Sequence, residues 1–242
     1  MYGQQQYKEK ISSIASEAKA YEQENARKTD TGEKTNQVQK LTIEVNGLLG
    51  KWANAKTAEE AVQMTYFGSE SLTYTEESLS WPNLVTDKLN NLLPPGKLNV
   101  TIINYGGATS AQVINQTITD DVIESQPDII IFEPFILNNN GKVLINDTLK
   151  HVEQIMNDFQ TAIPETDIVI IPSNPLYNPS AFLTQSDALQ NYAEENQYLF
   201  ANHWDAWPEV TDTDLQNYLT SGRPNEQGHQ LWADYMADYL IK

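Results

Sequence analysis

Two short stretches hold the residue types that acyl-transfer chemistry uses. The first, Tyr66-Phe67-Gly68-Ser69-Glu70-Ser71-Leu72-Thr73-Tyr74, ends an apolar run in a small polar turn with two serines. Such a turn between a buried strand and a helix can lift a hydroxyl out of the sheet edge and beside backbone N–H donors, as an esterase nucleophile requires. Serine and glycine are also ordinary turn residues, so the stretch does not decide the matter alone. The second, Arg223-Pro224-Asn225-Glu226-Gln227-Gly228-His229, opens the last apolar segment of the chain. Between them lie Asn104-Tyr105-Gly106-Gly107-Ala108-Thr109-Ser110 and Glu133-Pro134-Phe135-Ile136-Leu137-Asn138-Asn139-Asn140-Gly141. Paired glycines let a backbone approach a ligand and present N–H groups to an oxyanion, and an asparagine amide can add another donor. Plain turns account for the same residues, and for 139–141 a turn is the preferred reading.

These stretches need elements to hold them. Short runs rich in Ile, Val, Tyr and Phe predict strands over 63–68, 98–105, 128–133, 167–172 and 198–201. Their continuous rather than alternating apolarity marks strands buried on both faces. Helices are expected over 81–93 (Ser80 as N-cap, Pro82 in the first turn), 110–117, 143–162, 186–196 (Ser186 as cap) and 225–241. Strand and helix alternate five times, which calls for a parallel sheet covered on both sides, with ligand sites beyond the carboxyl ends of the strands. Each chemistry-bearing stretch follows one of these strands or opens the last helix.

In this order the stretches resemble the blocks of the SGNH hydrolases, also called GDSL esterases and lipases. Ser69-Glu70-Ser71-Leu72-Thr73 is similar to the Gly-Asp-Ser-Leu block, with Ser71 at the nucleophile position, Glu70 where Asp is usual and Ser69 where Gly is usual. Gly107-Ala108-Thr109 resembles the second block, which gives Gly107 the oxyanion N–H, and Asn138 matches the third. Trp204-Asp205-Ala206-Trp207-Pro208 and Pro224–Ala233 resemble the closing stretch. The resemblance spans roughly residues 63–241 and implies an α/β three-layer sandwich around a parallel sheet of about five strands. It implies a domain over 61–242 and says nothing of what precedes it. There the polar, charge-balanced composition, with sparse apolar positions from Ile11 to Tyr21 at helical spacing and a second group from Val38 to Leu49, predicts a mostly helical extension or stalk over 1–60.

The resemblance breaks where the family keeps its base. The catalytic His and the Asp three residues before it fall at Arg223 and Thr220. Arginine stays protonated and cannot take a proton from Ser71, and threonine cannot orient an imidazole. His229 stands where the family's second, packing histidine sits. His203 and Trp204, just past the fifth strand, are candidates for substrate contact, as is Arg223, whose guanidinium can grip a carboxylate or phosphate. An ion pair with Glu70, Glu76 or Glu77 is the plainer expectation for Arg223, and core packing for the tryptophans.

Composition narrows the partners. Residues 1–60 hold nine Lys or Arg against nine Asp or Glu, so the net charge of −18 lies wholly in residues 61–242. A surface this acidic repels phosphate backbones, which disfavours nucleic acid. There is no cysteine, and the three histidines lack metal-ligand spacing, so neither a metal nor another cofactor is expected. No run approaches the ~18 apolar residues of a membrane helix. An extracellular or surface-anchored location, with signal or anchor absent from this chain, is expected on composition, and a cytoplasmic one otherwise. The expected function is a serine esterase or acyl-transfer domain of weakened activity, acting on an ester-bearing small molecule or acylated glycan. The rival is a catalytically degenerate domain that binds such a glycan or another cell-surface component.

Overall fold

The computed structural model describes residues 44–115 and 119–242. Five parallel strands, β1 (Val62–Gly68), β2 (Leu98–Asn104), β3 (Ile129–Phe132), β4 (Asp167–Ile170) and β5 (Leu199–Phe200), form one sheet in the order β2-β1-β3-β4-β5. All five fall on the runs expected from sequence. Around them lie α1 (Gly47–Ala55), α2 (Trp81–Asn90), α3 (Ser110–Asn115), α4 (Thr119–Glu124), α5 (Ile136–Asn139), α6 (Ile145–Ala162), α7 (Ala181–Glu195) and α8 (Glu226–Ile241). A two-residue turn joins the short antiparallel strands β6 (Leu219–Thr220) and β7 (Arg223–Pro224) ahead of α8.

The period-2 geometry of the strands sorts the core into two layers. Met64, Tyr66, Ile129, Ile131 and Val169 face one side and pack with α1, α2 and α8; Phe67, Ile130, Phe132, Ile168 and Ile170 face the other and pack with α3, α6 and α7. This is the expected α/β three-layer sandwich. On the first side Trp81 stacks on Trp232, with rings 4.7 Å apart and 9° from parallel. On the second, Phe67 stacks on Phe132 at 5.2 Å and meets Phe135 and Phe159 edge-on.

Two boundaries differ from expectation. Among the described residues, α1 already packs on the sheet, so the domain begins before residue 61. Leu49 and Ala53 of this helix are buried in the core, and its Trp52 indole donates to Asp167 at 2.7 Å. The remaining apolar groups of the expected extension, Ile11 to Tyr21 and Val38 to Ile43, lie outside the described residues. The helix expected at 186 starts at Ala181, because Phe182, Ser186, Leu189 and Ala193 share one buried face at helical spacing. Ser186 is thus an interior residue and not a cap. Asn225, by contrast, caps α8 by accepting from the Gly228 N–H at 3.1 Å.

Candidate active site

At the end of β1 the chain enters a single 3₁₀ turn, Glu70–Leu72, capped by Ser69. The loops after β1 and β3 lie where the strand order reverses, the place at which open α/β sheets gather ligands. The Ser71 N–H donates to Ser69 Oγ at 3.3 Å, and Ser69 Oγ donates to Ser71 Oγ at 3.2 Å. The Ser69 hydroxyl is thereby spent inside the turn. Ser71 Oγ accepts that one bond, and its own O–H has no acceptor among the described residues. Behind the turn, the Trp81 indole donates to the Ser71 carbonyl at 3.0 Å and ties the serine to the core.

The β2 exit loop is fastened to the same turn, because the Glu70 N–H donates to the Gly106 carbonyl at 3.0 Å. This brings Gly107 beside the serine block, and its N–H has no partner among the described residues. Asn138 reaches the loop from α5, its amide donating to the carbonyls of Gly106 and Ala108, both at 2.8 Å. Asn138 therefore clamps the loop, and it can serve an oxyanion only by giving up one of these bonds. Asn139 does similar work deeper down, accepting from the Ser110 N–H and donating to Ser110 Oγ and Thr148 Oγ1. Phe135, in the left-handed region at φ 63° with its ring buried, starts α5 under strain and sets where both asparagines arrive.

Arg223 meets the site through Glu70, with Nη2 donating to Oε1 at 2.6 Å. The plainer expectation for this residue is thus the observed one, and the partner is the acid next to Ser71. Thr220 pairs directly with Arg223 across the β6–β7 turn, whose residues Ser221 and Gly222 both have positive φ, at 52° and 79°. A two-residue turn of this kind matches the strand twist and fixes the register.

The three histidines are all placed, and none bonds to Ser71. His203 was expected to touch substrate; instead it is fully enclosed. Its Nε2 donates to the Pro172 carbonyl at 3.0 Å, its Nδ1 accepts from the Trp207 indole at 3.1 Å, and its ring stacks on Trp232 at 3.9 Å. No ligand reaches it. His229 accepts from the Trp81 N–H at 3.2 Å and packs against Tyr74. His151 lies across the sheet on α6, bonded to Ser110 Oγ at 2.8 Å. Trp204 is half-buried against Phe182, and its indole donates to the Ser173 carbonyl at 2.7 Å.

Burial pushes His203 down to about 3 and His229 down to about 4, so both are neutral in the folded protein at pH 7. Unfolding restores a pKa near 6.5, and below that pH the unfolded chain binds more protons than the native one. Stability contributed by the neutral rings is present above pH ~6.5 and is lost as pH falls toward about 4, at ~1.4 kcal/mol per unit for each ring. We expect urea midpoints of a His229→Gln variant to fall less steeply than those of the parent over this range. Parallel slopes would refute the assignment.

The turn also rests on a residue that carries no motif in the sequence. Glu133, at the carboxyl end of β3, is fully buried; its Oε2 accepts from the Ser69 N–H at 2.9 Å and its Oε1 from the Ser173 hydroxyl. A side chain on Gly68 would stand within 3.0 Å of it, so the glycine before the serine block is matched to this acid. The signal in the sequence was a glutamate closing a wholly apolar strand.

A serine turn, a glycine loop and an asparagine helix gathered beyond the carboxyl ends of a parallel sheet define a three-layer α/β protein of the SGNH-hydrolase fold. Solved structures agree. A protein of the G-D-S-L family from Desulfitobacterium hafniense superposes with a TM-score of 0.58 at 15% identity, over 74% of this chain and 99% of the other. The acetylxylan esterase Axe2 from Geobacillus stearothermophilus gives 0.61 at 15% identity, over 75% and 94%. The acetyl xylan esterase AlAXEase gives 0.61 at 12% identity, over 74% and 100%. No family model and no curated protein matches the sequence, so the likeness is one of structure.

Proposed function

We propose that the domain recognises an acyl ester at the Ser71 turn and, having no base beside that serine, cleaves it slowly at best. The ligand would be an ester-bearing small molecule or an acylated glycan, in keeping with the acetylated substrates named for two of the structural neighbours. On an extracellular or surface-anchored protein, that glycan would be a component of the cell surface. The observation that carries the reading is the surroundings of Ser71 Oγ: its hydrogen-bond partner is Ser69, and no histidine bonds to it, each of the three having at least one ring nitrogen engaged elsewhere. A positioned general base contributes ~10²–10⁴-fold, and a serine without one keeps what binding and oxyanion donors supply.

A second reading, recognition without turnover, draws on Arg223, which the resemblance aligns with the family's histidine and which pairs with Glu70 beside Ser71. Turnover of p-nitrophenyl acetate by the protein and by its Ser71→Ala variant separates the two. Under the first reading Ser71→Ala removes a small but measurable rate and leaves the melting temperature nearly unchanged. Equal rates would leave the second.

A further inference from the structure

We infer that Glu133 is the positioning residue of the serine turn, holding Ser71 in register with the β2 and β4 loops through hydrogen bonds and without touching a ligand itself. The inference rests on the proposed role of Ser71 and deepens it. Acidic side chains are rarely enclosed without a partner of opposite charge, and burying one costs several kcal/mol unless its oxygens are satisfied. Glu133 is fully buried, and among the described residues no lysine or arginine meets it. What satisfies it is the site itself: the Ser69 N–H on one oxygen and the Ser173 hydroxyl on the other.

From this carboxylate the contacts run outward in two directions. Toward β1, fixing the Ser69 N–H fixes the cap whose Oγ in turn accepts from the Ser71 N–H and donates to Ser71 Oγ. The orientation of Ser71 is thus two hydrogen bonds away from Glu133. Toward β4, Ser173 donates to Glu133, accepts from the Leu137 N–H at 3.3 Å at the start of α5, and offers its carbonyl to the Trp204 indole. One acid therefore joins the ends of β1, β3 and β4, and links the serine turn to the half-buried indole of Trp204. A hydrophobic residue of equal size would fill the volume and leave the Ser69 N–H buried and unpaired.

The chemistry of the two donors predicts which substitution is tolerated. Ser69 offers a backbone N–H, which cannot turn round, whereas Ser173 offers a hydroxyl, which can. In Glu133→Gln the amide oxygen can accept from Ser69 while its NH₂ donates to a reoriented Ser173 hydroxyl, so the turn is held. In Glu133→Leu neither bond forms.

The experiment is the rate at which a fluorophosphonate labels the protein, followed by mass spectrometry of the Ser71 peptide, in the parent, Glu133→Gln, Glu133→Leu and Ser71→Ala. Melting curves fix a temperature at which every variant is folded, and the concentration dependence separates the limiting rate from the half-saturating concentration. We expect Glu133→Leu to lower the limiting rate at least tenfold with the half-saturating concentration unchanged, and Glu133→Gln to stay within threefold of the parent. A Leu variant that folds and labels Ser71 at the parental rate overturns the inference while leaving Ser71 as the reactive serine. A loss that appears only in the half-saturating concentration also overturns it, since that marks ligand contact or general loosening. Failure of the parent to label Ser71 above the Ser71→Ala background removes the reading beneath, and the positioning role with it. Should Glu133→Leu not fold, Ser173→Ala, which removes one of the two donors, is expected to lower the limiting rate by a smaller factor, and a parental rate there overturns the inference.

Discussion

A chain carrying Arg223→His together with Thr220→Asp is expected to cleave p-nitrophenyl acetate at least ~10²-fold faster than the parent, provided Ser71 is intact. Residues 220 and 223 are directly paired across the β6–β7 turn, and side chains so paired lie on one face with Cβ atoms ~5 Å apart. An aspartate there can accept from the imidazole and fix its tautomer, leaving the other nitrogen for the serine. Arg223 already extends to Glu70, the neighbour of Ser71, so the strand aims at the right turn. The histidine alone should gain less, because nothing would orient its ring. Adding Ser71→Ala to the double variant should abolish the gain. No gain in the double variant, with the fold intact by circular dichroism, would mean that the site has drifted from acyl transfer in more than its base.

The largest expected loss of stability is at Trp81. Replacing it with alanine should cost ~3–5 kcal/mol, the usual range for deleting an enclosed aromatic ring. The ring is wholly buried between Tyr66, which meets it edge-on at 5.2 Å, and Trp232. Its indole N–H also holds the Ser71 carbonyl, while its backbone N–H goes to His229 and survives the substitution. Urea unfolding should show the midpoint falling with little change in slope. A cost under ~1 kcal/mol would indicate that the cavity collapses and that the stack adds little. Trp81→Phe should recover much of the packing but not the bond to Ser71, so it separates the two contributions.

Much of the fold was legible because the central strands are apolar runs between polar turns, wholly so in β3, a pattern that buried parallel strands impose. The expectation of burial on both faces fails at the edge strands β2 and β5, each of which has a neighbour on one side only. The start of the domain was harder to read. Residues 47–55 are amphipathic but short, and what draws them onto the sheet is a tertiary event: the Trp52 indole and Lys51 meeting Asp167, and Lys56 meeting Asp128. At the site, Ser71, Gly107 and Arg223 were visible as members of spaced motifs. His203 was misjudged because its position past a strand end suggests access, whereas Trp232, which stacks on it, comes from a distant segment and Trp207 folds back on it from the end of its own turn. Glu133 was passed over for the opposite reason. An acid at the end of a strand reads as a solvent-facing terminus, and only the crossing of β1 and β4 on either side of β3 turns it inward.

The column formed by Trp81, Trp232 and His203 also makes the domain its own optical instrument. Two indoles stacked 4.7 Å apart exchange excitation, and any twist between their long axes splits the transitions into paired bands of opposite sign in circular dichroism. Since Trp81 is bonded to the Ser71 carbonyl, a molecule that shifts the serine turn should alter that couplet without any attached dye. A titration of candidate esters against this signal would then report occupancy at the turn even where no bond is broken.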